Sequence, residues 1–133
     1  MSITRINNLG ITDGTIVDAD INASAAIAST KLSGVNDAKA WVNFNGTGTV
    51  AIRASFNVSS ITDGGVGVYS VNFTTAISDA NYVCVASVNY DTGGSSINVD
   101  RGSQTTALAF IEVRNAAQNA DADRAYINVA IFR

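Results

Sequence analysis

Val50-Ala51-Ile52-Arg53-Ala54-Ser55-Phe56-Asn57-Val58 is the stretch whose reading decides the fold. Val50, Ile52, Ala54, Phe56 and Val58 alternate with Ala51, Arg53, Ser55 and Asn57. Successive side chains of a strand point to opposite faces, so a period of two predicts a strand with one face against a core. A surface helix would need apolar residues three and four apart instead.

The same period recurs on both sides of this stretch. Tyr69, Val71 and Phe73 alternate with Ser70 and Asn72. Residues 106–114 set Ala107, Ala109, Ile111 and Val113 against Leu108, Phe110, Glu112 and Arg114. Residues 125–132 set Ile127, Val129 and Ile131 against Tyr126, Asn128, Ala130 and Phe132. Ala40-Trp41-Val42-Asn43-Phe44 reads as a shorter first strand, and residues 97–99 as a further one. Residues 82–90 are apolar on both faces at first, which predicts a central strand. Turn chemistry separates these runs at Asn45-Gly46-Thr47-Gly48, Asp63-Gly64-Gly65, Ser78-Asp79-Ala80-Asn81, Asp91-Thr92-Gly93-Gly94 and residues 115–123. The expected fold is all-β: an antiparallel β-sandwich or jelly-roll-like knob of about six or seven strands. It spans residues 36–133 and is preceded by an extended N-terminal arm, residues 1–35. With no proline in the chain, one common means of blunting sheet edges is missing.

The arm follows a different period. Ile6, Ile11, Ile16 and Ile21 recur every fifth residue, and Ile27 and Leu32 follow after one extra position. Five residues rotate a helix by about 500°, so these side chains form no stripe. Gly10, Asp13-Gly14, Asp18 and Asp20 fall where turns are expected, so residues 1–22 read as an extended, turn-broken segment. Residues 22–31, with Asn22 as N-cap and a run of alanines, read as a short helix. Each arm isoleucine is worth about 1.5–3 kcal/mol once buried, and the arm cannot bury them by itself. They lie on the chain's own knob, pack with other copies, or dock into another protein.

The 133 residues bound the function as well. The chain has no histidine, one cysteine and a single glutamate. This removes imidazole acid–base chemistry, His-ligated zinc and an intrachain disulfide. Cys84, inside Tyr82-Val83-Cys84-Val85, reads as a small buried hydrophobe. A net charge of −3, with lysines and arginines scattered singly, gives no footprint for nucleic acid. No run of 18 apolar residues predicts membrane insertion. Charged residues are only 14 %, so Asn, Ser, Thr and Gly must keep the surface wet. No enzyme and no cofactor is expected: paired carboxylates for glycan cleavage are hard to assemble around Glu112 alone.

Two stretches carry a resemblance. Ala38-Lys39-Ala40-Trp41-Val42-Asn43-Phe44-Asn45-Gly46-Thr47-Gly48-Thr49 runs on through Val50–Val58 to Ser59-Ser60-Ile61-Thr62-Asp63. Continued by Tyr69-Ser70-Val71-Asn72-Phe73-Thr74-Thr75-Ala76 and Asp79-Ala80-Asn81-Tyr82, it resembles a module common in tail fibres and related virion appendages of tailed phages. The arm from Ile11 to Leu32 is similar to the repeat-like segment that often precedes that module. The resemblance covers roughly residues 11–82. It implies a homotrimeric, β-rich structural protein of the virion, assembled in the host cytoplasm and attached to other virion proteins by its N-terminal part, with the knob outward. Family members are usually much longer, so the expectation here is a short fibre or fibre tip, or a neck or capsid-decoration (cement) appendage. The resemblance brings no catalytic residue. Its alternative function is a receptor-binding knob for a host surface glycan.

On this reading the contacts to other copies or to the virion are Ile6, Ile11, Ile16, Ile21, Ile27, Leu32 and Trp41. Trp41 can also be a sugar-stacking platform, but its apolar neighbours Val42 and Phe44 favour a core or subunit-interface role. The candidate receptor-facing residues are Tyr90, Asp91, Arg101, Asp121 and Arg124, in loops 91–96, 101–105 and 115–124. Asp18/Asp20 and Asp121/Asp123 have the spacing of calcium-loop acids but lack the rest of such a loop, and read as turn acids. Asp121 to Arg124 can also form a loop-tip ion pair of small value.

Overall fold

The computed structural model describes residues 37–89, 95–100, 103–115, 117 and 120–133, with residues 21, 22, 24, 25, 27 and 31 of the arm. The chain divides into two compact units, residues 1–35 and 36–133. In the second unit the described residues are all β, with eight strands: β1 (Ala38–Asn45), β2 (Ala51–Phe56), β3 (Val58–Gly65), β4 (Val68–Phe73), β5 (Val83–Val88), β6 (Ser95–Val99), β7 (Leu108–Asn115) and β8 (Ile127–Phe132). They form two four-stranded sheets, sheet A in the order β2-β1-β8-β5 and sheet B in the order β3-β4-β7-β6. Every pairing is antiparallel, as in a β-sandwich.

The core comes mainly from the two middle strands of each sheet. β1 contributes Ala40, Val42 and Phe44, and β8 contributes Ile127, Val129 and Ile131. From sheet B come Tyr69, Val71 and Phe73 of β4 and Ala109, Ile111 and Val113 of β7. These are the alternating residues of each strand, so the period of two is realised as burial. Edge-to-face ring pairs link core residues, Phe44–Tyr69 at 5.2 Å and Phe73–Tyr82 at 5.9 Å between centroids. The Tyr82 hydroxyl donates to the Leu108 carbonyl at 2.7 Å, so the ring is buried without stranding its polar tip.

Three sequence readings are corrected. The stretch 50–58 does contain a strand, but all six residues of β2 are exposed. β2 is the edge strand of sheet A, one strand outside the core under β1 and β8, and its register slips opposite Asn43/Phe44. Ile52 therefore pairs with the buried Phe44 and still stays exposed. The run ends at Asn57, whose φ of 54° turns the chain from sheet A into β3 of sheet B. Second, β5 is not central but the other edge of sheet A. Third, β3 gave no strand signal, because Ser59, Ser60, Thr62 and Asp63 surround a single isoleucine, Ile61.

In the arm, Asn22 Oδ1 accepts from the Ser24 N–H at 2.8 Å and its carbonyl from the Ala25 N–H at 2.8 Å, so Asn22 opens a turn. The expected 22–31 helix is not formed at residues 22, 24, 25 and 27, which are turn or irregular: the Ile27 N–H donates to the Ala25 carbonyl at 3.0 Å, two residues back instead of four. The segment before Ile21 lies outside the described residues.

Candidate functional site

Register places two cross-strand rows side by side on the outward face of sheet A. Phe56 of β2 pairs with Trp41 of β1, Trp41 with Ala130 of β8, and Ala130 with Val85 of β5. This apolar row crosses all four strands. The next row runs Ala54–Asn43–Asn128–Ser87. In it the Asn43 Nδ2 donates to Asn128 Oδ1 at 2.6 Å, and the Asn128 Nδ2 donates to the Ser87 hydroxyl at 3.3 Å. Between Trp41 and Val85 the small Ala130 leaves a groove of about 330 Å³, which Asn43, Ser87 and Asn128 also line.

The face is apolar and open. Relative exposure is 40 % for Trp41, 56 % for Phe56, 57 % for Val83, 55 % for Val85 and 53 % for Tyr126. Its charges stand at its two ends. At one, the Arg53 guanidinium lies 4.2 Å above the Tyr126 ring, a cation–π contact. At the other, Arg133 makes an ion pair with Asp79 at 2.6 Å. That guanidinium holds the Asp79 carboxyl below its ordinary range, and Asp79 in turn holds Arg133 charged. Beside this pair lies a smaller groove of about 220 Å³ lined by Lys39, Asn57, Ile77 and Arg133.

Sheet B is more polar outside, although Val68, Leu108 and Phe110 stand half-buried on the same face. Ser60 and Thr62 of β3, Ser70 and Asn72 of β4, and Glu112 and Arg114 of β7 occupy its outward positions. The Asn72 Nδ2 donates to Thr62 Oγ1 at 2.8 Å and to Ser60 Oγ at 3.1 Å. Arg114 reaches Glu112 at 3.6 Å and Asp121 at 3.4 Å.

The residues expected to act fall in different places. Trp41 lies at the centre of the sheet A face rather than in the core. Ile21 and Ile27 are exposed. Ile6, Ile11, Ile16, Leu32, Tyr90, Asp91 and Arg101 lie outside the described residues, as do Asp18 and Asp20. Asp121 pairs with Arg114 of β7 rather than with its neighbour Arg124. Arg124 is half-buried, its Nε donating to the Ser95 hydroxyl and its Nη1 to the Asp123 carbonyl. Asp123 accepts from the Tyr69 hydroxyl and the Gly67 N–H, both at 2.8 Å. These contacts tie the loop before β8 to the sandwich. Cys84 is half-buried on the core side of β5, and burial pushes its thiol up to about 11. Among the described residues no three acids and cysteines gather as a metal site.

Comparison with protein-family models, with curated proteins and with solved structures finds no match. The site therefore stands on its own geometry. Sequence reading found Trp41 but missed Phe56, Val85, Ala130 and the Asn43–Asn128–Ser87 ladder. The available signal was β5, whose outward positions Val83 and Val85 are as apolar as its inward ones.

Proposed function

We propose that this chain is a non-enzymatic structural protein of a tailed-phage virion: a homotrimeric appendage. Residues 1–35 attach it to other virion proteins, and the jelly-roll-like knob of residues 36–133 points outward. The resemblance over residues 11–82 supports the class. The observation that carries the reading is the inequality of the two outward faces. Sheet B mixes hydroxyls, amides and ions with Val68, Leu108 and Phe110, all three half-buried, and none of its strands exposes a large apolar side chain. Sheet A presents Phe56, Trp41, Ala130 and Val85 in one uncharged row. Contiguous exposed apolar patches beyond a few hundred Å² are rare on monomers and mark contact surfaces.

Sedimentation analysis of the full chain tests the reading. The expected species is three times 13.7 kDa, and a single chain at every loading concentration refutes it.

One observation favours a second reading, a knob that binds a host surface glycan. Trp41 stands beside the Asn43–Asn128–Ser87 ladder, an aromatic platform next to amide and hydroxyl groups. A glycan array probed with the wild type and Trp41→Ala separates the two readings, since Trp41 cannot serve a sugar and a subunit contact together.

A further inference from the structure

From the sheet A face we infer that the groove over Ala130, between Trp41 and Val85, is the contact surface between copies of this chain. The occupants are the same faces of the two neighbouring copies, gathered about the threefold axis of the trimer, since one face paired only with itself would close as a dimer. This rests on the reading of the chain as a self-associating appendage and says which surface does the associating.

Three observations select a second copy over other occupants. The first is area. Aromatic side chains offer roughly 150–250 Å² each, so at their exposures the face leaves on the order of 400 Å² of large apolar surface uncovered. A standard interface buries about 800 Å² per partner with a little over half of it apolar, so this patch fills the apolar share of one subunit's contribution. The second is charge. The face lacks charge between Arg53 at one end and Lys39 and Arg133 at the other, and the two arginines are engaged by Tyr126 and Asp79. An uncharged face is self-complementary: a copy brings no like charge against it, whereas an acidic or basic partner would find no counter-charge. The third is shape. Ala130 is a notch flanked by larger side chains, and Phe56, at the end of the same row, is a projecting knob.

The polar row sets the alignment. Asn43 and Asn128 each use one donor within the ladder, leaving amide N–H and carbonyl groups that must find partners when the face is covered. Buried amides that are satisfied in only one alignment penalise slipped arrangements, as a single polar position does in a coiled-coil seam.

The chain holds one tryptophan, and it lies in the middle of this face. Acrylamide quenching of Trp41 emission in the full chain, followed against protein concentration alongside sedimentation, therefore reads the proposed contact directly. The expected result is a quenching constant that falls several-fold as the assembled species forms. Val85→Lys and Ala130→Arg place an unpaired charge in the contact and should weaken assembly by about a hundredfold or more. Both side chains point away from the core, and an unchanged urea midpoint of the dissociated chain confirms that the fold is intact. Thr62→Lys, on the outward face of sheet B, should assemble as the wild type does. If the wild type assembles but Trp41 stays as quenchable as in Val85→Lys, the contact lies elsewhere; this inference fails and the appendage reading stands. If the wild type never assembles, both fail.

Discussion

Asn57 holds the corner between the two sheets, and its replacement tests whether that corner is built as described. At a φ of 54° it occupies the left-handed region, where Asn is tolerated better than most residues. Its side-chain nitrogen donates to the Lys39 carbonyl at 2.9 Å and to the Thr75 carbonyl at 3.0 Å, and its oxygen accepts from the Thr75 N–H at 2.7 Å. One amide thus ties the β2–β3 corner to the start of β1 and to the loop after β4. At about 1 kcal/mol net per hydrogen bond, losing all three costs roughly 3 kcal/mol. Alanine adds roughly 1 kcal/mol for the left-handed backbone, which glycine accepts freely. Asn57→Gly should therefore lose about 3 kcal/mol and Asn57→Ala about 4 kcal/mol. Urea unfolding at one fixed protein concentration measures both, since assembly would otherwise shift the midpoints. If Asn57→Ala unfolds within about 1 kcal/mol of the wild type, the corner is not held in this way.

Two further outcomes follow from buried groups of the knob. The Tyr69 hydroxyl donates to Asp123 at 2.8 Å, and burial together with that carboxylate pushes the phenol above its ordinary range. An unfolded chain releases this proton near pH 10 while the folded one keeps it, so stability falls as pH rises above about 10. Tyr69→Phe should cost about 1.5–3 kcal/mol at neutral pH and flatten the alkaline decline in a urea-midpoint series; an unchanged decline rules the linkage out. Cys84, with its thiol pushed up to about 11, should react with iodoacetamide at pH 8 about a hundredfold more slowly in the native chain than in urea. Equal rates would place the thiol in water.

How much of this was legible beforehand depends on what covers each strand. β1, β4, β7 and β8 were readable because both of their constraints are met within the chain. Their inward residues bury one another, as Phe44 does against Tyr69, and their turns carry their own chemistry. At Asn45-Gly46-Thr47-Gly48, Asn45 Oδ1 accepts from the Thr47 hydroxyl at 2.8 Å, and Gly48 takes a φ of 62°. β3 escaped notice because a strand at a sheet edge, with a polar outward face, needs few apolar residues inward: Val58, which the sequence reading gave to the preceding run, and the half-buried Ile61. The ladder Asn43–Asn128–Ser87 was invisible for a different reason. Its members are 85 and 41 residues apart in the chain, and only the antiparallel register brings them together.

The two misread strands, β2 and β5, share a cause. In each, apolar residues promised burial, and the promise was assigned to the chain's own core. β2 and β5 are the opposite edges of sheet A, and their exposed side chains Phe56, Val83 and Val85 rim the face that has Trp41 and Ala130 at its centre. A hydrophobic pattern states that a residue gains by leaving water, and it is silent on whether the covering atoms belong to the same molecule. A central strand and an edge strand with an interface on its outward face therefore write the same pattern. What separates them is exposure: a strand buried within the fold keeps no large apolar side chain in water, whereas Phe56, Val83 and Val85 are exposed on the face that also carries a hydrogen-bonded amide ladder. Such a ladder gains value where a partner must be admitted in one alignment and refused in others. On that argument the apolar excess of β2 and β5 and the Asn–Asn–Ser row are one feature, the surface proposed above for contact between copies of the chain.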